Sequence, residues 1–343
     1  MATAVGLGRV KRALRGVRDA ARRRLASRRG DVKQDFYGSR YFSGAADRNP
    51  GVSGYGNYTR ETSNADVASY LLWRFLPFTR SLDVGCARGF LVEGLVELGY
   101  DAHGWDVSEW AIADGAESVR DRLSVVDLER RQRPGVRTRY DLVTALEVLE
   151  HLRPEQVPKV LRRLRRVSDG YLVATIPSIG PNPHGPAGFV RGKVRPERLE
   201  HYEALGPGYD GPVPFDDLAR DDDGNPVEGH LTVASFAWWT AQFERAGFVR
   251  QPEVERAMHP VIGRQDLSVA WNLYVFHVDE RPPAPMVTRT EDELAELEHR
   301  WNLVYRPHSG HSRNITLWTV GEEGARAIDL EYQASVRRRL DAR

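Results

Sequence analysis

The segment Glu147-Val-Leu-Glu150-His151 sets two carboxylates and an imidazole at spacings of three and one, so a helical turn brings all three to one side. Carboxylate oxygen with imidazole nitrogen suits a divalent cation such as Mg²⁺, Mn²⁺ or Zn²⁺. Without a metal, an imidazole at this place is a general base that titrates near neutrality. Another histidine, His230, stands five residues before Ser235, which reads as the N-cap of a helix beginning Phe-Ala-Trp-Trp. His184 and His201 lie in a loop-rich stretch, facing substrate or solvent.

The second chemical signal is Leu-Asp-Val-Gly-Cys-Ala-Arg-Gly-Phe, residues 82–90, at a strand-to-helix turn. Glycine lets the backbone approach a ligand closely, and the following helix offers free N–H groups. Asp106, 21 residues after Gly85, ends the next strand, where an acid can hold a ribose diol. Asp127 ends the third. Acids on successive strand ends repel a pyrophosphate and suit a nucleoside.

The elements that must carry these residues follow from periodicity. Short apolar runs begin near 81, 101, 123, 140 and 171, with helical segments expected at Phe90–Leu98, Glu109–Arg120 and Glu155–Val167. Strand–helix alternation with unbroken apolar strands predicts a parallel sheet covered on both faces. A helix over 64–75 precedes it, stopped by Pro77. Residues 178–230 hold eight prolines, nine glycines and the acidic run 216–223, and read as a long insertion serving as a substrate lid. A helix over 235–246 and strands near 248–254 and 271–278 complete the core. The expected organisation is a basic arm (1–30), an aromatic lid and helical lead-in (31–80), the core (81–280) and a C-terminal extension (281–343). That extension opens on a stiff Arg-Pro-Pro-Ala-Pro linker and holds a helix over 291–301, a strand-like run at 314–320 and a final Arg-rich helix.

These motifs resemble those of the class I S-adenosylmethionine-dependent methyltransferases. The glycine turn is similar to their first motif, with Ala87 where a middle glycine is common. Gly104-Trp-Asp-Val-Ser-Glu-Trp resembles the second, Val-Val-Asp127-Leu128 the third, and the run from Tyr140 to Leu152 the fourth. The likeness covers roughly residues 60–280. It implies a Rossmann-like, doubly wound, seven-stranded, mostly parallel sheet whose last strand is antiparallel. It also implies S-adenosylmethionine as cofactor. Asp83 and Gly85, with Cys86, Ala87 and Gly89, would lie at the methionine part. Asp106 and Val107 would hold the ribose hydroxyls, Asp127 the adenine amino group with Leu128 beside it, and Glu147 would shape the cofactor site. A dehydrogenase of the same fold prefers G-x-G-x-x-G, which Ala87 and Phe90 break. Among relatives, the enzymes that methylate the 3′-terminal ribose of small RNAs hold a divalent metal with an E-x-x-E-H cluster and a later histidine. By position this implies Glu147, Glu150, His151 and His230 as ligands. In many other members the same letters serve no metal, and His151 would then cap a helix or, like His230, act as base.

Composition bounds the partners. The chain has 343 residues and a single cysteine, which excludes an internal disulfide framework. No run approaches a membrane span, and the first 25 residues lack a signal-peptide core, so a cytoplasmic protein is expected. Residues 1–30 hold ten basic groups against one acid, whereas the rest carries a net charge of −8. DNA is therefore not an expected partner and RNA is disfavoured; the arm offers peripheral contact with an anionic membrane at its inner face. Aromatic side chains Tyr41, Tyr55, Tyr58, Trp238 and Trp239 suit sugar rings and planar phenols. The opening at 35–44 resembles that of bacterial methyltransferases of polysaccharide or glycolipid assembly. The expected activity is O-methylation of a sugar or glycoconjugate by a monomer or homodimer. The alternatives are a small natural product or quinone-like phenol, an RNA 3′-terminal ribose, or a non-catalytic nucleoside-binding protein.

Overall fold

The computed structural model describes residues 37, 41–42, 58–60, 63–130, 138–185, 187–188, 190–205, 209–221, 224–265, 272–278, 282–301 and 303. The basic arm, Tyr55, the run at 314–320 and the final Arg-rich stretch lie outside them. No described helix is long and apolar enough to cross a membrane.

Helix α1 (Ala65–Phe75) leads into strand β1 (Arg80–Val84). Then follow α2 (Phe90–Glu97), β2 (Asp101–Asp106), α3 (Glu109–Ala113), β3 (Leu123–Val125), β4 (Tyr140–Leu146), α4 (Val157–Val167) and β5 (Ser168–Thr175). Short β6 (Ser178–Ile179), α5 (Leu199–Leu205) and β7 (Ala234–Ser235) belong to the insertion and its exit. The core resumes with α6 (Phe236–Arg245), β8 (Phe248–Arg250), α7 (Pro252–Gln265) and β9 (Leu273–Val278), and α8 (Glu291–Arg300) lies beyond. The sheet order is β3-β2-β1-β4-β5-β9-β8, with only β9 antiparallel to its neighbours. This is the expected doubly wound sheet, with its one antiparallel strand last in the chain.

Alternate residues along the strands feed two cores. Ala102, Leu142, Val173 and Val275 join α1, α2, α7 and the C-terminal segment on one face. Leu82, Val143, Leu172 and Phe276 join α4 and α6 on the other. Of the tryptophan pair, Trp239 is fully buried in this second core, whereas Trp238 packs at its margin.

Three expectations are corrected. The helix expected over 109–120 is broken: α3 ends at Ala113, and a 3₁₀ helix takes over at Glu117–Arg122. Gly115 passes so close to β3 that a Cβ there would meet Leu123 at 2.7 Å, and Ala116 N–H donates to Arg88 O (2.8 Å), so tertiary contacts end the helix. The strand expected over 248–254 stops at Arg250, and Pro252 opens α7 in the first-turn place that proline favours. α7 is pinned by a buried ion pair: Arg250 meets Glu255 through two nitrogens at 2.9 and 3.0 Å, and also donates to Asn182 (3.2 Å). The insertion is no loose loop, since Ile179, Val194, Tyr202, Val213, Leu218 and Val233 form a small core of their own.

Candidate active site

The carboxyl ends of β1, β2, β3 and β4 open on a cavity of about 580 Å³, at the sheet edge where ligands of such sheets bind. Its volume falls within the roughly 300–1,000 Å³ usual for small-molecule sites. Gly85, Ala87, Asp106, Val107, Asp127, Leu128, Glu147 and His151 all line it, as the sequence predicts.

The turn after β1 is shaped by left-handed backbone. Gly85 has φ 74°, and a Cβ there would lie 2.3 Å from a Val148 methyl. Ala87 takes φ 47° without being glycine, and Glu147 takes φ 54°. Two non-glycine residues in this region on one cavity wall are strain held by the surrounding structure. Asp106 is the centre of the wall: Oδ2 accepts from Ala87 N–H (2.8 Å) and Oδ1 from Ser108 N–H (2.7 Å). Asp127 Oδ1 accepts from Glu129 N–H (2.8 Å), and Oδ2 pairs with Arg130 at 3.1 Å.

Asp83, Cys86 and Gly89 are placed differently: they support the turn rather than line the cavity. Asp83 accepts from Thr144 Oγ1 (2.7 Å) across to β4. Cys86 packs against Gly104, where a Cβ would meet its sulfur at 2.7 Å. Gly89, at φ 79°, is the N-cap of α2 and passes against Leu123.

Burial pushes the carboxyls of Asp83 and Glu147 up to about 7, and raises that of Asp106. Among the described wall residues the one arginine or lysine, Arg130, is largely exposed. A cavity walled by acidic groups, two of them shielded from solvent, favours a cation over a pyrophosphate. Aromatic rings line one side of it: Tyr37, Tyr41, Phe42 and Tyr58 pack together, and Phe42 stacks on Trp110 at 5.6 Å between centroids.

A second histidine, His230, approaches the wall residue His151. His151 and His230 rings lie 5.3 Å apart, and each Nε2 is 3.9 Å from Glu150 Oε1. His151 Nδ1 lies 3.0 Å from Gly229 O. A carbonyl only accepts, so Nδ1 carries the proton and Nε2 keeps its lone pair. Burial lowers both imidazoles, His230 the more, and raises the Glu150 carboxyl well above its ordinary value. Glu150 is fully buried, and neither carboxylate oxygen has a hydrogen-bond partner. One nitrogen or oxygen from each of Glu150, His151 and His230 lies within 4.8 Å of the others, whereas Glu147 stands outside that set. His184 and His201 do not join it.

Sequence reasoning missed Trp105, Val126, Glu129 and Val148 on the wall, and Thr144 and Ser108 behind it. Most sit within two residues of a predicted site residue at a strand end, so extending each motif past its strand would have found them. Tyr37, in the segment before α1, packs edge-to-face with His151 at 5.6 Å between centroids.

Comparison with known proteins gives one family and partial relatives. A ubiquinone biosynthesis O-methyltransferase of Methylococcus capsulatus is 32% identical over 106 residues, 28% of this chain; the chain spans 43% of that relative's length. Among solved structures, magnesium protoporphyrin IX methyltransferase of Synechocystis PCC 6803 with bound SAH aligns with a TM-score of 0.39 and 17% identity, over 64% of this chain and 91% of that one. The CcbJ methyltransferase of Streptomyces caelestis aligns with a TM-score of 0.38 and 14% identity, over 63% and 89%. Residues 82–168, which contribute most of the cavity wall on a Rossmann-like seven-stranded sheet, match the family model of a methyltransferase domain.

Proposed function

We propose that the chain transfers a methyl group from S-adenosylmethionine to a hydroxyl oxygen of a sugar or glycoconjugate small enough to reach His151. The observation that carries the reading is the cavity's ring of buried carboxyls, Asp106 and Glu147 on the wall and Asp83 behind it, which suits a nucleoside bearing a cationic sulfonium. In this reading Asp106 takes the ribose hydroxyls on the lone pairs its two backbone donors leave free. Asp127 takes the adenine amino group, and the aromatic rings shield one side of the cavity from water.

The transfer itself is a displacement at carbon. The acceptor oxygen forms a bond to the methyl as the methyl–sulfur bond breaks, the electron pair stays on sulfur, and S-adenosylhomocysteine leaves. The hydroxyl must lose a proton, and His151, which lines the cavity and keeps a lone pair on Nε2, is the base that can take it. The residues also fit a divalent cation, because the buried Glu150 carboxylate has no hydrogen-bond partner and its Oε1 lies 3.9 Å from Nε2 of both imidazoles. Glu150, His151 and His230 would hold it, and its charge would acidify a hydroxyl or a vicinal pair. A small phenol with neighbouring oxygens is the second reading, favoured by the identity shared with the ubiquinone-pathway relative.

The test is calorimetry with S-adenosylhomocysteine, then labelled methyl transfer to a panel of sugar diols, isolated alcohols and catechols. Micromolar one-to-one binding and transfer to sugar hydroxyls are expected. Absence of S-adenosylhomocysteine binding sinks the methyltransferase reading, and transfer to catechols alone replaces the sugar with the phenol.

A further inference from the structure

Glu228 takes no part in the reaction outlined above, yet it is held next to the histidine pair. It lies at the end of the insertion, in the single 3₁₀ turn Val227–Gly229, with φ 57° and ψ 12°. This left-handed conformation is unfavourable for a side chain as large as glutamate. The segment after it is tied to the end of β4: Leu231 and Thr232 N–H both donate to Glu150 O (2.8 and 2.9 Å), and Thr232 Oγ1 donates to Leu152 O (2.6 Å). His151 Nδ1 donates to the adjoining Gly229 carbonyl. These contacts leave the Glu228 side chain half-exposed at a second cavity, of about 280 Å³, which it lines with Lys193 and His230. The two histidines thus stand between two cavities, His151 on the cofactor side and His230 on the insertion side.

The Glu228 carboxylate lies 3.6 Å from His230 Nε2 and equally 3.6 Å from Lys193 Nζ. Two ligands each about 2.1 Å from one tetrahedral ion lie roughly 3.4 Å apart. The 3.6 Å between Glu228 and His230, and the 3.9 Å from Glu150 to each imidazole, are close to the separations of ligands around one ion. Of those three residues the Glu228 carboxylate is near His230 alone and, like Glu147, stands outside the set of atoms within 4.8 Å of one another. It reaches an ion there only by swinging from Lys193 toward Glu150 and His151. With Glu150 alone the set brings one negative charge to a dication; a second carboxylate completes the balance.

We propose that Glu228 is the fourth protein ligand of a divalent cation at Glu150, His151 and His230, leaving its ion pair with Lys193 for the metal, while Glu147 stays on the cofactor side. This rests on the metal reading given above. It places the metal's outer approach in the insertion-side cavity, so an acceptor bound to the ion would come from there and meet the methyl donor across the histidines.

The experiment is titration of Mn²⁺, and separately Co²⁺, into the full chain without cofactor, comparing the wild type with Glu228→Gln and Glu147→Gln. Circular dichroism melts check that each variant is folded; Glu228→Asp serves in place of Glu228→Gln if the latter is not. Glu228→Gln is expected to weaken Mn²⁺ at least tenfold and to change the intensity and position of the visible Co²⁺ bands. Glu147→Gln should move Mn²⁺ affinity less than threefold and leave those bands alone. Wild-type affinity and spectrum in Glu228→Gln, with both altered in Glu147→Gln, overturn the assignment in favour of Glu147. Weakened affinity with an unchanged Co²⁺ spectrum, recovered at high salt, reduces Glu228 to a through-space charge and also overturns it. No Mn²⁺ or Co²⁺ binding to the wild type overturns this inference and the metal reading together, leaving the binding of S-adenosylhomocysteine as the separate test of the methyltransferase reading.

Discussion

Asp106 and Asp83 are both buried acids at the end of a strand, but they do different work. Asp106 spends one lone pair of each oxygen on a backbone donor, at 2.8 and 2.7 Å, and lines the cavity with the rest. Asparagine there keeps one acceptor and turns an amide donor against a backbone donor. Removing such a charge-assisted acceptor costs about 1.5–3 kcal/mol, so Asp106→Asn should weaken S-adenosylhomocysteine roughly 10- to 100-fold in calorimetry. Asp83 acts on the fold instead. Its folded pKa of about 7 lies above the unfolded value of roughly 3.9, so between these pH values the folded state holds a proton that the unfolded state has lost. That stabilisation is fully present below about pH 4 and is lost as pH rises through about 7. Asp83→Asn removes the dependence at this site. The melting temperature of the cofactor-free protein should therefore fall less steeply from pH 5 to 8 in the variant, the remaining slope of that sign coming from the other raised carboxyls, Glu147, Glu150, Asp106 and Glu255 among them. An unchanged slope would show that Asp83 titrates normally.

At the scale of elements, the turn between β1 and α2 depends on close packing with the segment after β4. Gly85→Ala puts a Cβ 2.3 Å from a Val148 methyl at φ 74°, so it should cost about 1–3 kcal/mol in denaturant unfolding. Val148→Ala in the same chain should recover the steric part but not the backbone part. Fully additive losses would mean that the two residues do not touch. This turn was legible because its signal is local: β1, which leads into it, is almost wholly buried and reads as a short apolar run, and glycine marks the tip. β4 and β5 read the same way, whereas β2 and β3, toward the sheet edge, are only half-buried and were legible from their place in the strand–helix alternation. α7 was not legible, because Pro260 interrupts its pattern and its buried Glu255 and His259 read as surface residues. Tertiary partners, the Arg250 guanidinium and the Val275 N–H, make the burial of Glu255 tolerable. In the site, Asp106, Asp127, Glu150 and His151 were legible as strand-end chemistry. Glu228 was not, because its place next to His230 depends on a left-handed residue that no local pattern of this sequence marks.

Across the whole molecule, the segment 282–303 braces the side of the sheet covered by α1, α2 and α7 without touching the cavity. Val287 N–H donates to Phe75 O (3.0 Å), and Tyr171 Oη donates to Ala284 O (2.7 Å). Arg289 donates to Trp73 O while lying 4.3 Å over its ring. α8 is held by a capping box at Thr290 and Glu293, and it brings Leu297 into the first core, with Leu303 just beyond. None of Trp73, Phe75, Tyr171, Leu297 or Leu303 lines the cofactor cavity. Burying a leucine side chain contributes about 1.5–3 kcal/mol, so losing two of them, with the strap's hydrogen bonds, removes roughly 3–7 kcal/mol. In a folded unit of this size each kcal/mol is worth about 2–4 °C. A chain ending at residue 281 should therefore melt roughly 6–28 °C lower. Measured below its new midpoint, it should still bind S-adenosylhomocysteine one-to-one within about threefold of the full chain's affinity. The brace and the cofactor site share a sheet but no side chain, so stability and binding should separate. If truncation instead abolishes binding in a chain whose circular dichroism is that of a folded protein, the C-terminal segment reaches the site through contacts beyond those described here.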